Sequence, residues 1–576
     1  MISNIWVKKP RKSAFNLSYT NLLTANFGEL IPFYIQDDII PGDQFKVNTE
    51  MLIRCSPLIA PAMVQASAYA YYFFVPNRLL WDDWQKFISP EDPNQEEVNY
   101  VFPRFIFPTV KNWETADQKP SQGDLYDYLY NIRKEDITSY DAKVTTEFSQ
   151  LPMRAYKLIW NEYFRNQNVQ DEIEIPKDGG CMNFCNDAVD PYYDFHHREV
   201  LKHNWHKDYF TSALPWSQRG GEVVLPLSAD YAELEYDHSL GRTKLRNSSG
   251  GVLLNLFNLK GSGGSIYGTR LERSDGEGGT LDNNQHYFTD DGEPATSRLI
   301  TAETSYHLNA DFDVSANHRV DLTDITATTV NEFRRAIKLQ EWLENSARGG
   351  GRYVESILSH FGVRVPDYTL QRPQFIGGGK VPIQFSEVLQ MAPDASAGPT
   401  GTMAGHGIGV GGAPGFKKFY ANEHGIIMGI MVIQPKAVYV NAMRKSLYKF
   451  DKFDYYWPEF QRLGEQPIQR KELTVWHTNA ETMDSEFGYT PRYAEYMYRH
   501  SEVHGYMATT QKYWHLGRET DKTTILSRAF IQCTPAQNSS IFAVESVEDS
   551  AQFNIMLYNR VHALRPIDKY STPSIW

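Results

Sequence analysis

The segment Arg348-Gly349-Gly350-Gly351-Arg352 places three glycines between two guanidinium groups, a combination that can surround a phosphate. A phosphate-binding loop of the P-loop type needs a preceding strand and a Lys-Ser or Lys-Thr pair after the glycines, and Arg352-Tyr353 supplies neither. A single Arg-Gly-Gly also falls short of the repeated segments that bind RNA. Helix-like sequence flanks the glycines on both sides. We therefore predict a joint between two helices, in which the glycines are free to adopt positive φ.

A second glycine run, Gly407-Ile-Gly409-Val-Gly411-Gly412, matches the G-x-G-x-x-G pattern of dinucleotide sites. That pattern binds pyrophosphate only where a strand turns into a helix. The residues before the run do not resemble a strand, and Ala413-Pro414-Gly415 is a poor start for a helix. We therefore predict that residues 377–416 form a glycine-rich loop, flexible or close-packed, and that the chain binds no cofactor.

Thiol and imidazole side chains that could hold zinc follow one another in a short region: Cys181, Cys185, His196, His197, His203 and His206. Their spacing is looser than that of structural zinc sites, so buried or incidental side chains are the better interpretation. Neither His-Glu-x-x-His nor Gly-x-Ser-x-Gly occurs, and the 70 carboxylates are too many to single out an acid–base pair. The sequence predicts no active site and no metal.

The densest basic run is Lys8, Lys9, Arg11 and Lys12, in a chain whose formal net charge is −13. A protein that bound nucleic acid over its whole surface would be basic, because phosphate neutralisation supplies most of the affinity. Contact with DNA must therefore be local or be made by another, basic protein. Residues 1–14 form a basic N-terminal arm that either neutralises DNA phosphates or is a solvated terminus.

The composition indicates a soluble globular protein, with 41% hydrophobic and 22% charged residues in a chain of 576. The 35 Tyr, 31 Phe and 12 Trp residues suit β-rich cores and protein interfaces. Four cysteines argue against a disulfide scaffold. The N-terminus lacks the apolar stretch of a secretory signal, and the longest apolar runs are too short to cross a bilayer.

Strand patterns occur at both ends of the chain, at residues 45–54, 68–75, 426–433 and 553–558. Helix patterns occur at residues 154–165, 329–347 and 352–361. In the first helix the polar positions are Arg154, Lys157, Asn161 and Arg165, and in the second the expected buried stripe is Val330, Phe333, Ile337 and Leu343. Because strands far apart in sequence must pair, we expect a β-sandwich or jelly roll with insertions, and residues 230–311, rich in Gly, Ser, Asn and Asp, form a surface insertion.

Several segments in a fixed order resemble the major capsid protein of microviruses, small single-stranded DNA bacteriophages, and of their gokushovirus-like branch in particular. Two of them are Phe73-Phe-Val-Pro-Asn-Arg-Leu-Leu-Trp81 and Phe487-Gly-Tyr-Thr-Pro-Arg-Tyr-Ala-Glu495. The others are residues 15–18, 28–32, 40–43, 56–61, 151–162, 208–216, 344–363, 370–373 and 463–466. The resemblance covers the chain from about residue 13 to about residue 520, and it is weaker over the last fifty residues.

The resemblance implies one mainly β domain over residues 1–576, an eight-stranded antiparallel jelly roll with large inserted loops and a few helices. Sixty copies would form a T=1 icosahedral shell around circular single-stranded DNA, and the 230–311 insertion would form a protrusion at the three-fold axes that meets the host receptor. The implied partners also include a small basic DNA-binding protein and a DNA pilot protein, and the protein would be a virion component assembled in the bacterial cytoplasm. At the helix joint, we favour contact of Arg348 and Arg352 with another subunit over contact with DNA.

Two other functions are compatible with a β-rich chain. A glycan-active enzyme would need a deep cleft with two opposed carboxylates about 5 to 10 Å apart. A free-standing single-stranded DNA-binding protein would need binding by the monomer with a steep salt dependence, which a net charge of −13 disfavours.

Overall fold

The computed structural model describes residues 11–89, 100–107, 122–132, 146–183, 198–220, 330–350, 352–389, 403–474, 484–521, 523–543 and 551–569, and between 231 and 321 the strands alone. The chain divides into two compact units. The larger unit comprises Met1–Gly221 and Trp342–Trp576, and the smaller one is Glu222–Glu341.

Strands of the larger unit come from both of its sequence segments. The N-terminal segment contains β1 (Ser13–Asn16), β2 (Tyr19–Ala25), β3 (Ile31–Gln36), β4 (Gln44–Cys55), β5 (Ala66–Pro76), β6 (Arg104–Phe107), β7 (Thr146–Ser149) and β8 (Cys181–Asn183). The smaller unit contains β9 (Tyr231–Glu233), β10 (Tyr236–Asp237), β11 (Arg242–Arg246), β12 (Val252–Lys260), β13 (Tyr267–Arg273), β14 (Arg298–Ile300), β15 (Ser305–His307) and β16 (Arg319–Asp321). The C-terminal segment contains β17 (Gln374–Leu389), β18 (Met403–Tyr420), β19 (Gly425–Pro435), β20 (Val438–Tyr439), β21 (Glu465–Gln469), β22 (Glu486–Pro491), β23 (Gly517–Arg518) and β24 (Phe553–Arg565).

Helices are few and mostly short. Within the described ranges the α-helices are α1 (Trp84–Ile88), α2 (Leu125–Tyr130), α3 (Leu151–Ile159), α4 (Val330–Gly349), α5 (Tyr353–Phe361), α6 (Ala494–Met497) and α7 (Arg528–Ile531). Single 3₁₀ turns occur at Asn77–Leu79, Lys445–Tyr448, Lys452–Asp454, Pro458–Phe460, Arg470–Glu472, Gly505–Ala508, Lys512–Trp514 and Ala536–Asn538. No helix in the described ranges is both long and apolar enough to span a membrane.

The main sheet is antiparallel and contains strands from both segments of the larger unit. Eight strands follow the order β1-β24-β4-β18-β17-β5-β19-β3, and β2 pairs with β24 as the ninth. Strand β17 belongs to both halves of this curled sheet, because Gln374–Ile383 pairs with β5 whereas Gln384–Leu389 pairs with β18. This arrangement confirms the mainly β, jelly-roll-like fold expected from the sequence.

The inner face of the curled sheet buries one hydrophobic cluster. Phe45 and Ile53 of β4, Tyr72 of β5 and Ile555 of β24 belong to it. In β4 the neighbours of Phe45 and Ile53 face the other side of the sheet, as the alternating pattern predicts. The hydroxyl of buried Thr49 donates to Asn559 Oδ1 at 2.7 Å and lies 2.5 Å from the Tyr72 hydroxyl, so this hydroxyl is satisfied inside the core.

Strands β5 and β19 are buried on both faces, which confirms the interpretation of residues 68–75 as a central strand. The second face packs against α3, which continues as one π-helical turn, Trp160–Phe164. The predicted helix is present, but its polar positions are not exposed: Arg154, Lys157 and Asn161 are all buried. Arg154 satisfies its guanidinium with the carbonyl oxygens of Leu80 and Asp178, both at 2.9 Å.

The glycine-rich segment 377–416 is not a loop, so that prediction is wrong for the described residues. Gly405, Gly407, Gly409 and Gly411 occur at every second position of β18, with the two-residue period of a strand. A Cβ atom at Gly407 would lie 2.9 Å from the Cβ of Cys55 and from the ring of Phe385, on the two neighbouring strands. Glycine is needed there because the adjacent strands approach too closely for a side chain.

The smaller unit consists of short antiparallel pairings. Strands β10, β11, β12 and β13 form a four-stranded sheet, β14 pairs with β15, and β16 pairs with β9. The expected insertion 230–311 lies within this unit, and it is described at these strands alone.

Candidate subunit-contact surface

The three glycines lie between two helices. Helix α4 ends at Gly349 and α5 begins at Tyr353, while Gly351 lies outside the described residues. Gly350 has φ of 100°, a conformation that side chains other than glycine rarely adopt. A Cβ atom at Gly349 would collide with Ser359 of α5. Glycine at these two positions thus permits the close turn from α4 into α5.

Arg352 bonds within its own chain. Its Nη2 donates to the carbonyl oxygens of Asn161 at 2.5 Å and Arg165 at 3.2 Å, at the end of the helical segment that begins with α3. Its backbone N–H donates to the carboxylate of Glu355 at 3.2 Å, and Gln167 donates to the same oxygen at 2.5 Å. Arg352 therefore stabilises the joint through contacts within its own chain. Its contact with another subunit stays a prediction.

Arg348 forms an ion pair with Glu465 at the start of β21. The Glu465 side chain has no exposed area, whereas that of Arg348 is 43% exposed. Burial raises the pKa of Glu465, and the charge and hydrogen bond of Arg348 oppose this only in part. Removal of Arg348 would therefore leave a carboxylate buried without its partner.

Of the predicted DNA-contact residues, Lys8 and Lys9 lie outside the described residues. Lys12 Nζ donates to the carbonyl oxygen of Gly42 at 2.6 Å and lies 5.1 Å from the centre of the Tyr420 ring. Arg11 is exposed. The first described residues of the arm therefore run beside the start of β4 and the end of β18.

A group of exposed aromatic side chains that the sequence analysis did not predict belongs to the part of the sequence between β20 and β23. We call it the aromatic surface: Phe450, Phe453, Tyr455, Tyr456, Trp457 and Tyr496, each 45% to 87% exposed. The Tyr456 ring lies 6.1 Å from that of Tyr496, and the backbone N–H of Tyr456 donates to the Tyr496 hydroxyl at 3.2 Å. The signal in the sequence is an aromatic-rich run at residues 450–460 with neither strand nor helix period.

The aromatic surface rests on an ion pair with little exposure. Lys449 Nζ lies 2.7 Å from Glu495 Oε1 and 3.9 Å from the centre of the Tyr496 ring. Burial by itself would lower the pKa of Lys449, but the hydrogen bond with Glu495 outweighs it, so the pKa is raised. Lys449 thus holds Tyr496 in place within the aromatic surface, although the Tyr496 side chain is 55% exposed in the isolated chain.

The helices beside the joint also expose apolar side chains, which corrects the expected buried stripe of α4. Phe333 and Ile337 are 46% and 47% exposed. In α5, Tyr353 and Phe361 are more than two-thirds exposed. Trp342 stacks on His360 at 5.6 Å between ring centres. Large exposed apolar areas of this kind are typical of interaction surfaces.

Within the described residues, no group of three or more His, Cys, Asp or Glu side chains could hold a metal ion. Of the sequence candidates, Cys185, His196 and His197 lie outside those residues. Burial lowers the pKa of His203 to about 4, so this imidazole is neutral at physiological pH.

Comparisons with known proteins identify the family of the chain. The model of a family described as capsid protein (F protein) matches residues 3–575. Capsid protein VP1 of Chlamydia phage 1 is 31% identical over 601 aligned residues, which cover 98% of this chain and 96% of the relative. Capsid protein VP1 of Bdellovibrio phage phiMH2K is 31% identical over 571 residues, covering 98% and 95%. Capsid protein VP1 of Spiroplasma virus 4 is 26% identical over 582 residues, again covering 98% and 95%.

The family and these relatives are structural capsid proteins and not enzymes. The microvirus capsid resemblance noted in the sequence is confirmed, and the match covers almost the whole chain. The chain therefore belongs to the capsid protein (F protein) family, as a shell-forming component of a virion.

Proposed function

We propose that this chain is the major capsid protein of a small single-stranded DNA bacteriophage, and that sixty copies assemble into a T=1 icosahedral shell around a circular genome. Assembly takes place in the cytoplasm of the bacterial host. Each copy contacts several neighbours, and closed symmetry turns modest pairwise contacts into a stable particle.

The exposure of the aromatic surface is the observation that supports this proposal best. An aromatic side chain buries about 150 to 250 Å² when it is fully covered. Six such side chains, each about half exposed, therefore offer on the order of 600 Å², close to the roughly 800 Å² per partner of a standard interface. In a shell every chain has other copies of itself as neighbours, so the partner that covers the aromatic surface is a second copy of the chain.

Enclosure of the genome needs help from other molecules because the chain is acidic, with a formal net charge of −13. The basic arm contributes Lys8, Lys9, Arg11 and Lys12, and a small basic DNA-binding protein supplies the remaining positive charge. A DNA pilot protein is packaged with them. The insertion at residues 230–311 forms a protrusion at the three-fold axes and meets a receptor on the host surface.

Particle formation tests the proposal directly. The full chain, expressed in bacteria, should yield shells in sedimentation and in negative-stain images. Phe450→Ser should lower the particle yield without changing the melting temperature of unassembled protein, because this ring is 87% exposed in the single chain. Met63→Ser is the control, since Met63 is also exposed but lies outside the aromatic surface. Monomers under all conditions, with no shells from an infected host, would refute the proposal.

A further inference from the structure

A groove of about 420 Å³ crosses the outer face of the main sheet where β1, β24, β4 and β18 run side by side. Its polar lining consists of Asn16, Gln44, Lys46, Lys417, Lys418 and His562. No carboxylate is among the described residues that line it. We call this feature the basic groove. In a chain with 70 acidic and 57 basic residues, a groove lined by three lysines and no acid is a local reversal of charge.

The strand register brings these side chains into one row. His562 is directly opposite Asn16 on one side and Lys46 on the other. The register of β18 against β4 then shifts between Phe416 and Phe419, which pair with Val47 and Phe45. The two residues inside this β-bulge, Lys417 and Lys418, are both exposed and together face the single residue Lys46.

Like charges that face each other across strands destabilise a sheet. Lys46, Lys417 and Lys418 form no ion pair with any residue that the structure describes, so no described carboxylate relieves their repulsion. Nearby carboxylates are already engaged. Glu50 pairs with Arg560 at 2.8 Å, and Asp43 lies 3.2 Å from Arg565.

The basic arm adds to the same charge. Lys12 Nζ donates to the carbonyl oxygen of Gly42 at 2.6 Å, two residues before Gln44 of the groove, and this partner carries no charge. Arg11 is exposed beside it. The described end of the arm, Arg11 and Lys12, thus lies next to the basic groove.

We propose that the basic groove binds consecutive phosphodiester groups of a single-stranded nucleic acid. The row of polar side chains crosses four strands spaced about 4.8 Å apart, so it extends about 14 Å, longer than a single phosphate ion. Lysine ammonium groups neutralise backbone phosphates without reading sequence, and half-buried Phe15 offers an apolar side to the groove. The identification of the nucleic acid as a packaged genome rests on the proposed function.

Binding of a fluorescent oligodeoxythymidylate of about 16 nucleotides to the unassembled full chain tests the groove. Lys46→Ala, Lys417→Ala and Lys418→Ala together should weaken binding at least about tenfold at low salt and reduce the slope of log K against log salt by about 2. The control carries Lys177→Ala, Lys207→Ala and Lys436→Ala, which remove three exposed lysines outside the groove. It should leave both the affinity and the slope close to those of the parent chain.

Three results would overturn the inference. One is unchanged affinity and slope in the groove variant while circular dichroism shows it folded. The second is displacement of the oligonucleotide by equimolar inorganic phosphate or thymidine monophosphate, which would make the ligand a free anion. The third is equally good displacement by polyglutamate, which would make the groove a site for acidic peptides.

The yield and DNA content of particles distinguish a failure of the groove inference from a failure of the proposed function. If the groove variant forms shells in normal yield that hold less DNA, both ideas stand. If its shells hold the parental amount of DNA, the groove inference fails and the capsid function remains. If the parent chain forms no shells, the proposed function fails, and the oligonucleotide result still decides the groove.

Discussion

Arg352 Nη2 lies 2.5 Å from the carbonyl oxygen of Asn161, a residue 191 positions earlier in the chain. Carbonyl groups in the last turn of a helix have no intrahelical donor, and a guanidinium satisfies them while its charge favours the negative end of the helix dipole. The joint between α4 and α5 is thereby attached to the helix that covers β5 and β19. An arginine that the sequence suggested for another subunit is engaged inside its own.

Arg352→Lys should destabilise the unassembled chain by about 1 to 2 kcal/mol, because one ammonium cannot reproduce the planar donors that reach two carbonyl oxygens. Urea denaturation followed by tryptophan fluorescence measures the change. Arg364→Lys is the control, since Arg364 is exposed close to the end of α5. Equal midpoints for the two variants would show that the bonds to Asn161 and Arg165 contribute little.

Gly349→Val and Gly350→Val should each reduce particle yield more than they reduce DNA affinity. A side chain at 349 collides with Ser359, and a side chain at 350 is strained at φ of 100° and meets Glu355. Gly412→Val is the matched control, because a Cβ atom there meets no atom within 4 Å. Sedimentation of cell extracts measures the particles, and unchanged yield in both joint variants would contradict the role of the joint.

Arg348→Ala should cost about 1 to 3 kcal/mol of stability, since it leaves the buried carboxylate of Glu465 without its ion-pair partner. Glu465→Gln in the same chain should restore part of the loss, because a neutral amide is cheaper to bury than a charge. Thermal melting of the single and double variants measures the coupling. Additive effects would mean that the pair contributes nothing as a pair.

Local pattern predicted the positions of several elements. Burial follows the two-residue period in β4, and the uninterrupted apolar run of β5 predicted a strand buried on both faces. The apolar periods at α3, α4 and α5 predicted where helices form, although the residues buried in α3 and exposed in α4 differ from the expected ones. The position of the joint at three glycines follows from the same kind of signal.

Other features depend on contacts that no local pattern contains. Gly407 of β18 is explained only by the close approach of β4 and β17. Arg154 and Lys157 occupy polar positions of a helix that is buried on both sides. The partner of Arg352 is 191 residues away in the sequence. The aromatic surface shows no strand or helix period, because its side chains are exposed and do not line one face of a buried element.

Glu29, between β2 and β3, should make stability fall as pH rises. Burial raises its pKa from 4.5 to about 7, although hydrogen bonding from Asn26 and the charge of Lys202 oppose the shift. The folded chain therefore holds a proton that the unfolded chain has already released, and stability decreases by up to about 1.4 kcal/mol per pH unit between these two values. The stabilising contribution of Glu29 is fully present below pH 4.5 and is lost as the pH rises through about 7.

Glu29→Gln should remove this dependence, because the amide does not titrate. Urea midpoints of unassembled parent and variant are compared at several pH values. The comparison separates the effect of Glu29 from that of His203, because both proteins contain His203. Burial lowers the pKa of His203, and this residue therefore makes stability fall as the pH falls. Glu174→Gln, at an exposed carboxylate, is the control. Parallel curves for the parent chain and Glu29→Gln would show that Glu29 is ionised in the folded subunit over this range and that its burial is relieved by solvent.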